Sequence, residues 1–208
     1  LFKEIVRQRD HEHLELLGQS GLLDSFYIAG GVGVALYLGH RSTADFDFFS
    51  SEPFDNAVLR EQLNSLGNFQ EIGSVWGVLH GVFNGMKTSF VSYQHPLIFP
   101  TNKYKGVAVA DLIDVALMKL DCLSNRGFKR DFIDVYCIDR EGLHLRQLLE
   151  YFPKKYPQGN LYQVIKSLGY FTDADKQPSP KMAIPTDWDA VKQFFVQSQR
   201  ELMKEYWP

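Results

Sequence analysis

A chain of 208 residues, 45% hydrophobic and 23% charged, is long enough to bury a sizeable core and has a composition that excludes wholesale disorder. Its formal net charge of −3 excludes general attraction to nucleic acid, so contact with RNA or DNA would need a local basic patch. Only Cys122 and Cys137 are cysteines, expected as buried thiols in a reducing compartment, and no apolar run approaches the roughly 18 residues of a membrane span. The first ten residues, LFKEIVRQRD, lack the apolar centre of a signal peptide, so a cytoplasmic location with no membrane contact is expected.

Apolar residues near helical spacing at Phe2, Ile5, Val6, Leu14, Leu16 and Leu17 predict a leading helix, with His11 and His13 facing solvent, broken by GQSGLLDS. SFYIAGG reads as a short buried strand ending in two glycines, and VGVALYLGHR as a short apolar helix that stops near Gly39. A strand, RSTADFDFFS, follows. Asp55 caps a helix whose Leu59, Leu63 and Leu66 form one stripe, with Gly67 past its end. FQEIGSVW, GVLHGVFNG and MKTSFVSYQ are strand-like pieces separated by glycine turns, in an antiparallel or mixed meander. Beyond residue 107 the pattern becomes helical. In ADLIDVALMKLDCLSNRG, Asp111 is the expected cap and Asp114 a capping-box analogue, with Ile113, Ala116, Leu117 and Leu120 as the buried stripe. DFIDVYCIDR, LHLRQLLEYF, NLYQVIKSLGYF and DWDAVKQFFVQSQRELMKEYW are further helices. The expected architecture is an α/β (α+β) core over residues 1–107 and a helical region over 108–208.

Four constellations in this order carry chemistry. Gly30 and Gly31, between a strand and a helix, allow close backbone approach and offer unpaired N–H groups that suit a phosphate. Neither the G-x-x-x-x-G-K-[ST] nor the G-x-G-x-x-G pattern fits them, and glycine at such a turn also serves conformation alone. About fifteen residues on, Asp45 and Asp47 share one face of a strand while Phe46 and Phe48 share the other. Two adjacent carboxylates need open water or a cation, and Mg²⁺ is held by one or two carboxylates plus substrate phosphates; an amphipathic edge strand with wet aspartates has the same pattern. Lys119 lies about 40° from Leu123 and about 60° from Ala116 on its helix, at the flank of the buried stripe, where it either reaches a triphosphate or snorkels to water. In RGFKRDFIDVY, Asp131 and Asp134 are neighbours on one helical face, with Arg126, Lys129 and Arg130 crowding around; a solvated salt-bridge cluster is the plain alternative. Lys154, Lys155, Tyr162 and Lys166 form either a basic aromatic surface for RNA or ordinary solvated helix ends.

Taken together, GG followed by ALYLGHRSTADFDFF, then ADLIDVALMKL and RGFKRDFIDVY, resemble the AbiEii/AbiGii branch of the nucleotidyltransferase superfamily, found in abortive-infection and type IV toxin–antitoxin systems. IKSLGYFTDADKQPSPKM is similar to the tail of its short members, so the resemblance covers most of the chain. It implies a polymerase-beta-like core, a mixed sheet flanked by helices with a helical C-terminal region. It also implies a phosphate-contacting turn at Gly30 and Gly31, Mg²⁺ ligands at Asp45 and Asp47, and a nucleotide-phosphate lysine at Lys119. A further functional acid follows at Asp131, supported by Asp134, with Arg41 and Ser42 as the polar residues before the carboxylate pair. Arg41 equally suits a helix C-terminus electrostatically.

One departure is evident. Nucleotidyltransferases of this fold often carry a third carboxylate on a neighbouring strand, as general base or second-metal ligand, and the matching position in MKTSFVSYQHP is Ser89. The resemblance leads to the expectation of an enzyme moving a nucleoside monophosphate from an NTP to an RNA, such as tRNA, or a protein acceptor, with a cognate antitoxin acting at the regulatory level. The alternatives are a catalytically silent nucleotide-binding or protein-interaction module of the same fold, and a metal-dependent phosphohydrolase using the same aspartates.

Overall fold

The computed structural model describes residues 1–43 and 45–207. Its elements are α1 (Gln8–Gln19), β1 (Tyr27–Ile28), α2 (Gly30–Leu38), β2 (Asp45–Ser50), α3 (Asn56–Leu66), β3 (Phe69–Val75), β4 (Val78–Phe83), β5 (Met86–Ser92), β6 (Asn102–Tyr104) and β7 (Val107–Val109), then helices α4 (Leu112–Asn125), α5 (Lys129–Arg140), α6 (Leu145–Lys155), α7 (Leu161–Ser167) and α8 (Trp188–Tyr206). The strands form one mixed sheet in the order β3-β4-β5-β2-β1-β7-β6. β2 pairs parallel with β5, and β1 parallel with β7; the other neighbours are antiparallel. The hairpin β6–β7 escapes the sequence reading because its strands are three residues each, too short for a visible alternation. The expected division after residue 107 falls inside β7.

Alternation on β2 decides the layering. Phe46 and Phe48 are buried on one face, in a core shared with Leu14 and Leu17 of α1, Leu59 and Leu63 of α3, and Phe90 of β5. Each phenylalanine so buried contributes about 1.5–3 kcal/mol of apolar transfer energy, which fixes the strand's facing and so turns Asp45 and Asp47 to the other side. That other side is covered at β1 and β7 by the helical half, where Tyr27, Phe49 and Ala108 meet a second core built on α4 and on Phe132 and Phe195. Beside it, residues of β2, β3, β4 and β5 and of α4 line an open cleft.

Local signals work largely as read. The Asp55 carboxylate accepts from the N–H groups of Ala57 and Val58 at 2.7 and 3.1 Å, capping α3. Asp111 caps α4 through the Ile113 N–H at 2.9 Å. Asp114, expected to complete a capping box, instead is fully buried and accepts from the N–H groups of Ile98 and Phe99 and from Lys155 Nζ at 2.7 Å. Lys155 is itself fully buried and also donates to the Pro96 carbonyl, so it belongs to neither a solvated helix end nor an RNA surface. His11 and His13 are half-buried, not solvent-facing: His11 Nδ1 lies 2.7 Å from the Tyr104 hydroxyl, and His13 packs edge-on to Phe83. Cys122 and Cys137 are free and half-buried. Among the described residues, no helix is long and apolar enough to cross a membrane.

Candidate active site

The glycine elbow and the carboxylate pair are brought into contact by β1, α2 and β2. β2 returns antiparallel beside β1, with Ile28 opposite Phe48, so that Asp47 arrives under the first turn of α2. Gly30 has φ +62°, and a Cβ there would stand 2.8 Å from Asp47 Oδ2; at Gly31 a Cβ would stand 2.6 Å from Arg41 Nη2. Only glycine leaves this approach open. The N–H groups of the first helical turn have no intrahelical acceptor and border the same space.

That space is a cleft of about 580 Å³. Gly30, Gly31, Asp45 and Asp47 line one side and Lys119 of α4 the other, with Ser89 and Lys87 of β5 and His80 of β4 along the sheet floor, and Arg126 and Arg130 at the rim. Phe49, Val91, Tyr93 and Met118 make its apolar end. Register aligns the floor: Asp45 is opposite Lys87, Asp47 opposite Ser89, and Ser89 in turn opposite His80, whose Nδ1 is 2.9 Å from Ser89 Oγ.

Behind the cleft wall sits a buried ion network. Lys119 Nζ reaches Asp131 Oδ1 and Asp134 Oδ2, each at 2.7 Å. Arg41 forks onto Asp134 at 2.6 and 2.8 Å, His40 Nε2 adds a contact to the same carboxylate at 2.8 Å, and Arg126 Nε donates to Asp131 at 3.1 Å. Asp131 and Asp134 are both fully buried, which overturns a solvated cluster around them. Burial opposes charge on Asp134, but Lys119 and Arg41 outweigh it and hold its carboxyl well below the usual carboxylate range. Lys119, buried against the two aspartates, is held above its ordinary value.

Asp47 behaves oppositely. Burial pushes its carboxyl up, and the opposing pull of Lys119, of a hydrogen bond from Ser89 and of Arg130 does not cancel the rise, to which Asp45 adds. Arg41, Lys119 and Arg126 are engaged by Asp131 and Asp134, and Lys87 opposite Asp45 and Arg130 at the rim are the cleft cations outside that network. A divalent cation fits at the β2 pair: two carboxylates on one strand face, beside a backbone turn cleared of side chains, leave coordination positions for substrate oxygens. Among the described residues there is no cluster of three or more His, Cys, Asp or Glu side chains able to hold a metal, and a cation in this cleft would have Asp45 and Asp47 as its candidate protein ligands.

Of the residues singled out from the sequence, Gly30, Gly31, Arg41, Asp45, Asp47 and Lys119 line the cleft. Asp131 and Asp134 stand behind its wall, each held by at least two cations, and Asp131 is therefore not free to act as a base. Ser42 turns away: it is exposed, and its N–H and Oγ both face the Lys181 carbonyl, at 3.1 and 3.4 Å. Lys129, grouped with the rim arginines by sequence, is buried with Nζ over the Trp188 ring. Thr43, His80, Lys87 and Asp121 also line the cleft and had no motif to announce them. For His80 the available signal was its alternation with Val78 and Val82, which puts it on one sheet face without saying what that face meets.

No protein-family model matches the sequence. The chain is 31% identical over 204 residues to aq_aa25, an uncharacterized protein of Aquifex aeolicus (strain VF5), covering 96% of this chain and 98% of that one. A candidate nucleotidyltransferase from H. pylori superposes with a TM-score of 0.55 at 14% identity, over 99% of both chains. MenT4, a nucleotidyltransferase toxin from Mycobacterium tuberculosis H37Rv, superposes with a TM-score of 0.50 at 15% identity, over 92% of this chain and 84% of its own. These likenesses show a nucleotidyltransferase fold, a mixed sheet flanked by helices with a helical C-terminal region.

Proposed function

We propose that this chain, which belongs to the same protein family as aq_aa25 of Aquifex aeolicus, is a Mg²⁺-dependent nucleotidyltransferase that moves a nucleoside monophosphate from an NTP to a hydroxyl or phosphate of an RNA, such as tRNA, or a protein. The observation that carries this reading is the contact between Gly30 and Asp47, which sets a phosphate-sized backbone turn against a carboxylate pair facing Lys119. Asp45 and Asp47 would hold the cation, which when bound supplies charge neutralisation at the phosphates. First-turn N–H groups of α2 bind phosphate oxygens, while Lys119, Arg126 and Arg130 add positive charge at the opposite wall and rim. Catalysis by this chain is then placement and charge stabilisation. The network through Asp131 and Asp134 holds Lys119 and Arg41 in position. Phe49, Val91 and Tyr93 offer an apolar wall for a base.

The finer assignment, to the AbiEii/AbiGii branch, with a toxin role in the cytoplasm and a cognate antitoxin, is supported by the order of the glycine, DFD, lysine and aspartate motifs and by the fold shared with MenT4. A silent nucleotide-binding module is the second reading, favoured by Ser89 at the floor position opposite Asp47 and by the engagement of Asp131. Transfer of label from α-labelled NTP in the presence of Mg²⁺, with calorimetry of NTP binding, separates the two. Asp45→Asn with Asp47→Asn is expected to abolish transfer with an unchanged circular dichroism spectrum. Equal transfer by wild type and double variant, or binding with no transfer by wild type, would count against the enzyme.

A further inference from the structure

The transferase reading leaves one chemical role unfilled: something must take the proton of the acceptor hydroxyl. Asp131 and Asp134 are buried behind the wall and each shared by at least two cations, and Asp45 and Asp47 are assigned to the metal. The sheet floor, however, carries a hydroxyl and an imidazole in line with Asp47. Ser89 is directly opposite Asp47 on β5, and His80 on β4 has Nδ1 2.9 Å from Ser89 Oγ. The His80 ring is exposed on the open half of the sheet, so it can pass a proton on to water.

Resting on the proposed transferase activity, the geometry points to Ser89 and His80 as a proton relay that activates the acceptor hydroxyl. Both residues line the cleft, and Ser89 is the β5 residue in register with Asp47. In the step, the acceptor O–H gives its proton to Ser89 Oγ as Ser89 Oγ–H gives its own to His80 Nδ1. The acceptor oxygen forms a bond to the α-phosphorus, and the bond from that phosphorus to the bridging oxygen breaks. Its electron pair leaves with pyrophosphate. The resulting imidazolium then loses a proton to solvent. Asp121, on the α4 wall of the cleft, is the competing base.

The full chain is assayed for kcat and KM of NTP with acceptor present, alongside NTP affinity by calorimetry. His80→Ala and Ser89→Ala are each expected to lower kcat about 10²-fold or more, with NTP affinity and KM within about twofold, and the double variant no worse than either alone, because a relay fails as a unit. Added imidazole restores His80→Ala and leaves Ser89→Ala unchanged. Thermal midpoints are expected to stay near wild type, since His80 is exposed and its side chain supports no core. The relay is overturned if His80→Ala turns over at the wild-type rate, if imidazole rescues neither or both, or if Asp121→Asn alone takes the loss. A wild-type protein that binds NTP and transfers nothing removes the transferase reading itself, a result told apart from the others because the variants then have no rate to compare.

Discussion

At Gly30 a single hydrogen atom stands where any other residue would place a carbon 2.8 Å from Asp47 Oδ2, and the backbone there is left-handed at φ +62°. Gly30→Ala therefore combines backbone strain of about 1–2 kcal/mol with a displaced carboxylate. The expected outcome is a thermal midpoint lowered by several degrees and transfer activity lost out of proportion to it; retained activity at the lower midpoint would show that the elbow is merely conformational. Sequence spacing brought Gly30, Asp45 and Asp47 to notice because each belongs to a local pattern: a strand followed by two glycines, and aspartates alternating with phenylalanines. Ser42 shows the limit of such reasoning. It adjoins Arg41 in the chain but bonds the Lys181 carbonyl on the outside of the fold, a partner no local pattern contains.

At the scale of elements, α4 is held near its start and at its middle by buried charge. Near its start Asp114 accepts Lys155 of α6 and two loop N–H groups; one face further on, Lys119 meets two aspartates of α5. Removing one partner of a buried pair leaves the other unpaired, which costs about 3–5 kcal/mol. Lys155→Met is therefore expected to lower unfolding free energy in urea by that amount. Asp114→Asn in the same background should recover part of it, since the amide oxygen still accepts from Ile98 or Phe99 while carrying no charge. Additive losses in the double variant would mean that the pair is not coupled. The helices themselves were legible from apolar period and caps. Their charged members were not, because a lysine on the flank of an apolar stripe has the same spacing whether it snorkels to water, as expected of Lys155's neighbourhood, or turns inward to an aspartate.

For the whole molecule, the buried network makes stability depend on pH with a definite sign. Asp134 is held below its ordinary value of 3.8, so the stability it contributes is complete above about pH 3.8 and is lost as pH falls through its lower folded value. Lys119 is held above 10.5, so its contribution is complete below pH 10.5 and lost only as pH rises through its higher folded value. The difference in urea midpoint between wild type and Asp134→Asn should thus stay constant from pH 7 to about 4 and narrow below 3.8; a difference that widens on acidification would contradict the ion network. By itself the sequence determined the helices, the longer strands and the shared face of Asp45 and Asp47, because these follow from periods of 2 and 3.6, while the three-residue strands β6 and β7 were too short to show one. Only the tertiary structure decided that Arg41, Lys119, Asp131 and Asp134 form one buried network and that His80 lies beside Ser89. Arg41 and Asp134 lie far apart in the chain, whereas His80 and Ser89 sit on consecutive strands and Lys119 and Asp131 on consecutive helices; in each case the meeting is set by register and packing, which a residue's sequence neighbours do not specify.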